Sequence, residues 1–139
     1  MGGLRLGMEM MKRFFPESIL YTSAPDYPPH KSMAKLLGIP NKDYRYYNKE
    51  KIEVDIECML EDFNLAPDGS FMLIQPCGHN PTGMDPTKEQ WDSIIEVMVK
   101  KNHFPFFDMA YHGIATGCFE DDAYAVRAWG KTGKPCFLS

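Results

Sequence analysis

Four polar side chains that could take part in chemistry follow two short apolar runs of the 139-residue chain. His79 and Asn80 lie in a polar loop that follows the run FMLI, and Asp108 and Tyr111 follow the run FPFF. They offer an imidazole, an amide, a carboxylate and a phenol, which are groups that bind polar ligands and hold or move protons. Considered alone, Asp108 is explained as well by a structural role, as a loop acid or a helix N-cap, as by a role in binding, and a tyrosine such as Tyr111 is more often a core or surface aromatic than a ligand.

The two apolar runs predict buried strands, and the segment between them predicts a helix. Residues 71–74 and 104–107 are continuous apolar runs, as in strands that are covered on both faces. Asp85 and Pro86 predict the helix start, with the acid as N-cap and the proline at the first helical position. The helix then presents apolar side chains at helical spacing, namely Trp91, Ile94, Ile95 and Met98.

A strand, a helix and a second strand in this order form a right-handed unit with parallel strands. Both loops that follow the strands therefore leave the sheet at the same edge, which is where ligands bind in sheets of this kind. We expect His79 and Asn80 from one loop to meet Asp108 and Tyr111 from the other.

The same segments carry a family likeness. HNPTG at 79–83, followed by DPTKEQW at 85–91 and by FFDMAY at 106–111, resembles the signature of the aspartate aminotransferases, pyridoxal-phosphate enzymes of fold type I. Both halves stand in order and at the family's spacing, which is far more specific than an isolated NPTG. Weaker likeness on both sides extends the resemblance over the whole chain, which corresponds to the middle of the family's large domain. The resemblance further implies cis peptide bonds before Pro25 and Pro81.

The resemblance implies that pyridoxal 5'-phosphate is the cofactor and that Asp108 pairs with its ring nitrogen. The cofactor draws electrons from a bond of the amino acid toward this nitrogen, which must stay protonated. An acid at a buried strand end would keep it protonated, because a nearby opposite charge favours the charged form. His30 is expected to hold Asp108 by a hydrogen bond.

Further cofactor contacts follow from the resemblance. Tyr27 is expected to lie over the face of the ring, at a position where the aspartate-specific members usually carry tryptophan. Asn80 and Tyr111 are expected to donate hydrogen bonds to the phenolic oxygen of the cofactor, and Asn80 also to the substrate carboxylate. His79 is expected to hold its loop in place without contacting the cofactor itself.

The chemistry of the family also needs groups that these residues do not offer. The catalytic lysine follows, in the family, the strand that here ends at Ser139, so we expect it beyond this residue and assign no catalytic residue within the chain. Lys131 and Lys134 precede that strand and are expected at the opposite edge of the sheet from Asp108. The phosphate-binding turn and the substrate-binding arginines also fall outside the chain. Residues 1–139 are interpreted as one partial large domain, without the catalytic-lysine segment and the small domain.

The function that the resemblance implies is pyridoxal-phosphate-dependent transamination, in which L-aspartate and 2-oxoglutarate give oxaloacetate and L-glutamate. The partners would be small amino-acid and 2-oxo-acid substrates and, for the complete protein, a second copy in a homodimer. These residues alone are expected to be inactive. An aromatic-amino-acid aminotransferase, which shares much of the signature, is one alternative. A non-catalytic short form that acts as an interaction module is the other.

Composition and charge argue against several other classes. The net charge is −4, the pI is about 5.5 and no basic stripe is present, so nucleic acid and anionic membrane surfaces are not expected as partners. No apolar run approaches the ~20 residues of a membrane span, and the start lacks the features of a signal peptide. A cytoplasmic location is expected, with a mitochondrial one as the alternative. Four cysteines without a C-x-x-C pair predict neither a disulfide framework nor a metal site.

Helical and strand patterns alternate along the chain. A helix is predicted over 3–15, with an apolar face formed by Leu4, Leu6, Met8, Met11, Phe14 and Phe15. The other elements predicted around the central unit are a strand over 18–22, a helix over 31–37, a strand over 43–47, a helix over 55–63, a helix over 121–130 and a strand over 136–138. The predicted fold class is α/β, a mostly parallel sheet with helices on both faces.

Overall fold

A parallel sheet runs through the centre of the structure, a computed structural model that describes all residues from 1 to 139. The strands are β1 (Leu20–Ala24), β2 (Asn41–Arg45), β3 (Tyr47–Asn48), β4 (Glu53–Val54), β5 (Phe71–Ile74), β6 (Phe104–Phe107) and β7 (Phe137–Leu138). The helices are α1 (Gly2–Phe14), α2 (Pro28–Leu37), α3 (Ile56–Leu65), α4 (Lys88–Lys100), α5 (Phe119–Asp122) and α6 (Tyr124–Gly130).

The sheet has five strands in the order β2-β1-β5-β6-β7, and all neighbouring strands in it are parallel. The strands predicted at 71–74 and 104–107 have these bounds, and they pair along their whole length, ending with Ile74 opposite Phe107. The two loops that follow them therefore start side by side. The α/β class with a mostly parallel sheet is confirmed, while the antiparallel pair of β3 and β4 was not predicted.

Helices cover both faces of the sheet. Successive residues of a strand point to opposite faces, so neighbouring residues of β6 pack in different apolar clusters. Phe106 belongs to an apolar cluster with the buried side chains of α1, which are Leu4, Met8 and Met11. Phe107 belongs to a larger cluster on the other face, with buried residues from α3, α4 and α6 that include Met59, Ile94 and Trp129. The carboxyl ends of the central strands are thus fixed between two packed layers, and they form a rigid base for the loops.

The helix between the two central strands begins two residues later than predicted. Thr87 is the N-cap of α4, since its hydroxyl accepts a hydrogen bond from the Gln90 amide and its own amide donates one to the Gln90 side chain. The prediction of Asp85 as N-cap was wrong because this carboxylate accepts hydrogen bonds from the preceding loop. The apolar residues predicted to face the core are buried, namely Trp91, Ile94, Ile95 and Met98.

The buried face of α1 is narrower than the sequence pattern indicated. Its buried apolar residues have the i, i+4, i+7 spacing of one helix face: Leu4, Met8 and Met11. Leu6 is exposed because it stands two residues from Leu4, nearly on the opposite side of the helix. Phe14 and Phe15, at the end of the helix, are also exposed.

None of the six helices combines the length and the apolarity that crossing a membrane requires. No group of three or more His, Cys, Asp or Glu side chains is arranged to hold a metal ion, and the four cysteines are free thiols. Cys77 is buried, and burial raises the pKa of its thiol to about 11, so this thiol is protonated at neutral pH.

Candidate functional site

The carboxyl edge of the sheet carries a cavity of about 180 Å³. Asp108, directly after β6, lines this cavity together with Asn80 from the loop after β5 and Tyr111 from the loop after β6. Tyr27, between β1 and α2, forms another part of the wall. The structure thus brings together the four side chains for which cofactor contacts were predicted.

A second, more open depression of about 300 Å³ shares Asn80 and Tyr111 with the first cavity. The rest of its wall comes mainly from the loop after β5, including His79 and Pro81. Asn80 and Tyr111 therefore border both spaces, and the Tyr111 side chain remains 38% exposed. A ligand with one polar ring and a polar extension would meet the amide and the phenol where the two spaces join.

The carboxylate of Asp108 is held from behind by His30. Nε2 of His30 lies 2.9 Å from Oδ2 of Asp108, and Nδ1 lies 2.8 Å from Oδ1 of Asp26. The His30 side chain is fully buried, and that of Asp108 is 13% exposed. Burial opposes a positive charge on His30, but the hydrogen bonds to Asp108 and Asp26 outweigh burial and raise its pKa to about 9. The two acids therefore favour the protonated imidazole, which holds one oxygen of Asp108.

His79 is a neutral, structural histidine of the loop after β5. Its Nδ1 lies 2.8 Å from the Thr82 hydroxyl and its Nε2 lies 3.0 Å from the Ser23 hydroxyl. The ring stacks on Tyr46 with 3.8 Å between centroids. Burial and the nearby charge of His30 lower the pKa of His79 to about 4, so the ring carries no charge at neutral pH.

Two residues that were given no site role in the sequence interpretation shape the loop that carries Asn80. The Gln75 side chain accepts a hydrogen bond of 2.8 Å from the backbone N–H of Asn80 and donates one of 3.0 Å to the backbone carbonyl of Asn80. Asp85 accepts bonds of 2.6 and 2.8 Å from the amides of Gly78 and His79. A polar residue directly after an apolar strand, as Gln75 is, was a signal that could have indicated the first of these roles.

The loop that carries Tyr111 is closed by another acid that the sequence interpretation missed. Asp122 is buried, and its carboxylate accepts hydrogen bonds from the Gly113 amide at 2.8 Å, the Thr116 amide at 3.1 Å and the Thr116 hydroxyl at 2.7 Å. These bonds, chiefly those from Thr116, hold the pKa of Asp122 below its ordinary value. The turn after Tyr111 is therefore organised around one ionised carboxylate.

The two loops touch each other. A Cβ atom at Gly78 would lie 2.9 Å from the Cβ of Tyr111, and the φ angle of Gly78 is +61°, which favours glycine. Only glycine lets the backbone of one loop approach the tyrosine of the other so closely. The expected cis peptide bonds are present at Ala24-Pro25 and Asn80-Pro81.

No lysine lines either cavity. Lys134 donates a hydrogen bond of 3.0 Å to the side chain of Asn102, which precedes β6, and Lys131 follows the end of α6. Both lysines also precede β7, which is parallel to β6. They belong to the amino edge of the sheet, opposite Asp108, as was predicted from their order in the sequence.

Comparison with known proteins gives consistent matches along the chain. The profile of a family described as "Aminotransferase class I and II" matches residues 1–139. A mitochondrial aspartate aminotransferase, P2, of Lupinus angustifolius is 46% identical over 126 residues, which cover 91% of this chain and 28% of that protein. The curated relatives include proteins named as mitochondrial and as cytoplasmic aspartate aminotransferases.

Solved structures match the fold equally well. An aspartate aminotransferase from Trypanosoma cruzi superimposes with a TM-score of 0.94 at 41% identity, over 99% of this chain and 36% of that one. An aromatic-amino-acid aminotransferase from Burkholderia pseudomallei, described as covalently bound to pyridoxal phosphate, gives a TM-score of 0.92 at 28% identity, over 99% of this chain and 34% of that one. The chain thus spans about a third of the length of the proteins that it matches.

Proposed function

Because this chain belongs to the class I and II aminotransferase family, we propose that the protein that carries it transfers the amino group of L-aspartate to 2-oxoglutarate, giving oxaloacetate and L-glutamate. The observation that carries the proposal is the Asp108 carboxylate, held by His30 and facing the same cavity as Asn80 and Tyr111. The names of the most similar relatives support aspartate as the amino donor. A cytoplasmic or a mitochondrial location is compatible with these relatives.

The residues around the cavity fit pyridoxal 5'-phosphate as the cofactor. Asp108 offers a carboxylate to the ring nitrogen, Asn80 and Tyr111 offer hydrogen-bond donors to the phenolic oxygen, and Tyr27 offers an aromatic wall to the ring. One side-chain oxygen of Asp108 is engaged by His30, which leaves the other for the cavity. When bound, the cofactor supplies an electron-withdrawing ring that weakens a bond at the α carbon of the amino acid.

The residues of this chain contribute charge and position. The cationic His30 fixes the direction of the Asp108 carboxylate, and that carboxylate keeps a proton on a ring nitrogen placed beside it. The Asn80 amide and the Tyr111 phenol stabilise negative charge on an oxygen between them by donating hydrogen bonds. Neutral His79 holds the Asn80 loop through Thr82 without adding a charge to the site.

The remaining parts of the machinery are supplied by other residues of the complete protein. No lysine and no arginine lines the cavity of Asp108, which supports the proposal that the amino group that moves the substrate proton comes from outside residues 1–139. The groups that bind the cofactor phosphate and the two carboxylates of a dicarboxylic substrate are proposed to lie there too. Residues 1–139 are one partial cofactor-binding domain, inactive alone, and the complete protein acts on small amino acids and 2-oxo acids as a homodimer.

The test uses the complete protein with pyridoxal phosphate, L-aspartate and 2-oxoglutarate. Asp108→Asn removes the charge with little change of shape, and we expect transamination to fall at least ~100-fold, as for loss of one preorganised electrostatic contact. Asp43→Asn, at an exposed acid of β2 that pairs with Lys31, is the matched control and should retain activity. Full activity of Asp108→Asn, or no saturable binding of pyridoxal phosphate, would overturn the proposal.

A second candidate is transamination of aromatic amino acids. It is favoured by Tyr27, at the place where the aspartate-specific members usually carry tryptophan, and by the similarity to the aromatic-amino-acid aminotransferase. Steady-state rates of the complete protein on aspartate and on phenylalanine separate the two. A kcat/KM for phenylalanine that equals or exceeds that for aspartate would support the second candidate.

A further inference from the structure

Asp26 is a buried carboxylate that the proposed chemistry does not use. Its side chain is 2% exposed, and Oδ1 lies 2.8 Å from Nδ1 of His30 and 3.3 Å from the hydroxyl of Ser23. Oδ2 has no hydrogen-bond partner and is inaccessible to solvent. Burying an ionised carboxylate is costly unless an opposite charge lies beside it. The only group at hydrogen-bond distance that could supply such a charge is His30.

The two contacts of His30 determine how many protons the three side chains must share. A neutral imidazole has one N–H and one acceptor nitrogen, whereas ionised carboxylates only accept hydrogen bonds. Because Asp26 faces one nitrogen and Asp108 faces the other, two protons are needed to satisfy both contacts. The imidazole is more basic than a carboxyl group, so both protons belong on His30. The three residues then carry one net negative charge.

We infer that Asp26 is a positioning residue of the cofactor site, which holds the second ring proton of His30 so that His30 meets Asp108 as a cation in one fixed orientation. With both nitrogens held, the ring cannot turn over or exchange its tautomer. Nε2–H always donates to Oδ2 of Asp108, and the other oxygen of Asp108 remains for the cavity. The effect of Asp26 on the cofactor rests on the proposed function. The protonation of His30 does not rest on it.

The charged and titratable groups around His30 are few. Asp26 from the end of β1 and Asp108 from the end of β6 are the two anions, and His79 from the loop after β5 is the neutral neighbour. Tyr27 touches the ring edge-on, with 5.3 Å between centroids. Only Asp26 and Asp108 offer His30 a negative charge, so removing the charge of Asp26 weakens the stabilisation of the cation while leaving the Asp108 contact in place.

The first test is NMR of the ring nitrogens of His30 in the complete protein, without cofactor. We expect two N–H groups at pH 7.5 and a titration near the pKa of about 9. Asp26→Asn keeps an oxygen acceptor at the same place, adds an amide donor and removes the charge, and should lower this pKa by roughly 1 to 3, as for loss of one adjacent opposite charge. Asp43→Asn is the control that removes an acid elsewhere on the same sheet and should leave the titration unchanged.

If Asp26 contributed only to folding, Asp26→Asn would not change the pKa of His30, because asparagine can also form a hydrogen bond with Nδ1 of a neutral His30. An unchanged titration in Asp26→Asn would therefore overturn the inference. Should Asp26→Asn fail to fold, the wild-type spectrum still decides, because a His30 with a single N–H at pH 7 would contradict it directly.

The second test follows the visible absorbance of bound pyridoxal phosphate against pH. In Asp26→Asn we expect saturable binding to persist while the pH midpoint of the absorbance change shifts away from that of wild type. An identical midpoint would contradict the link from Asp26 to the cofactor. Absence of any saturable binding in wild type would instead contradict the proposed function, and the titration of His30 would remain a separate result.

Discussion

The two loops at the carboxyl edge of the sheet are built alike but are held differently. The first loop, residues 75–85 after β5, and the second loop, residues 109–117 after β6, each depend on an aspartate that accepts hydrogen bonds from the loop backbone. In the first loop this residue is Asp85, and for the second it is Asp122. The same physical device, a carboxylate that satisfies several amides at once, thus closes both turns.

The difference lies in how far the contacts of each loop reach. The first loop is tied to distant elements, since the His79 ring contacts the hydroxyl of Ser23 in β1 and the Tyr46 hydroxyl donates to the Met84 carbonyl at 2.7 Å. The side-chain hydrogen bonds of the second loop join only residues within 111–122. Within that segment Ile114 is 74% exposed.

This contrast teaches that the Asn80 side of the site is fixed by the fold, whereas the Tyr111 side is fixed mainly by its own turn. Stability of the whole domain should therefore respond to changes in the first loop. Changes in the second loop should be visible locally, as faster amide exchange around Tyr111, with little effect on global unfolding.

The largest expected effect is acid destabilisation through the first loop. His79 has a folded-state pKa of about 4, below its ordinary value of 6.5, so the folded state binds the proton less readily than the unfolded state. The contribution of neutral His79 is complete above pH 6.5 and is lost as the pH falls toward 4, by about 3 kcal/mol at 1.36 kcal/mol per pKa unit. His30 behaves oppositely: its raised pKa contributes stability below pH 6.5 that is lost as the pH rises through 9.

Chemical denaturation of the complete protein at a series of pH values checks this expectation. The free energy of unfolding should be highest near pH 6.5 and should fall on both sides. His79→Gln should flatten the acid side, and His112→Gln, at the histidine of the exposed second loop, is the comparison variant. If the free energy of unfolding of His79→Gln fell toward acid pH as it does in wild type, groups other than His79 would cause that fall.

The second expected effect compares the two closing acids. Asp85→Ala leaves the amides of Gly78 and His79 without their acceptor in a half-buried turn, and should destabilise the protein by about 2 kcal/mol. Asp122→Ala should cost less in global unfolding and should instead speed amide exchange at Gly113 and Thr116. Equal losses of global stability for the two variants would remove the distinction between the loops.

Much of this arrangement could be predicted because it depends on local patterns. The short apolar runs at 71–74 and 104–107 predicted buried strands, and a helix between two parallel strands brings both strand ends to one edge of the sheet. Of the residues with site roles that were identified by the family likeness, Asp108 directly follows the second run and Asn80 lies in the loop after the first. Topology therefore predicted that Asn80, Asp108 and Tyr111 meet at one cavity, whereas His79, expected with them, lines only the neighbouring depression, and Tyr27 was identified by the family likeness.

The remaining features depend on contacts that no local pattern specifies. Asp85 and Thr87 are both good N-cap residues, and only the orphan amides at Gly78 and His79 decide that Asp85 serves the loop. The role of Asp122 requires that the chain return to Gly113 after the second loop. An acid four residues before His30 was visible in the sequence, but the burial of Asp26 is a property of the fold. Contacts of this kind arise from three-dimensional closure and have no periodic signature.

The smallest expected effect isolates the contact between the two loops. Gly78 and Gly83 both have positive φ angles, +61° and +67°, so alanine at either should cost about 1 kcal/mol of backbone strain. A Cβ at Gly83 meets open space, whereas a Cβ at Gly78 would lie 2.9 Å from the Cβ of Tyr111. Gly78→Ala should therefore lose about 1 kcal/mol more than Gly83→Ala, as for modest overpacking.

The excess should also appear in the site, because the clash is relieved most easily by moving the second loop, whose side-chain hydrogen bonds all stay within residues 111–122. We expect Gly78→Ala to weaken binding of pyridoxal phosphate to the complete protein, and Gly83→Ala to leave it near the wild-type value. Amide exchange around Tyr111 should increase only in Gly78→Ala. Were the two alanine variants to match in stability, in binding and in exchange, the loops would be independent, and Tyr111 would owe its position to the turn closed by Asp122 alone.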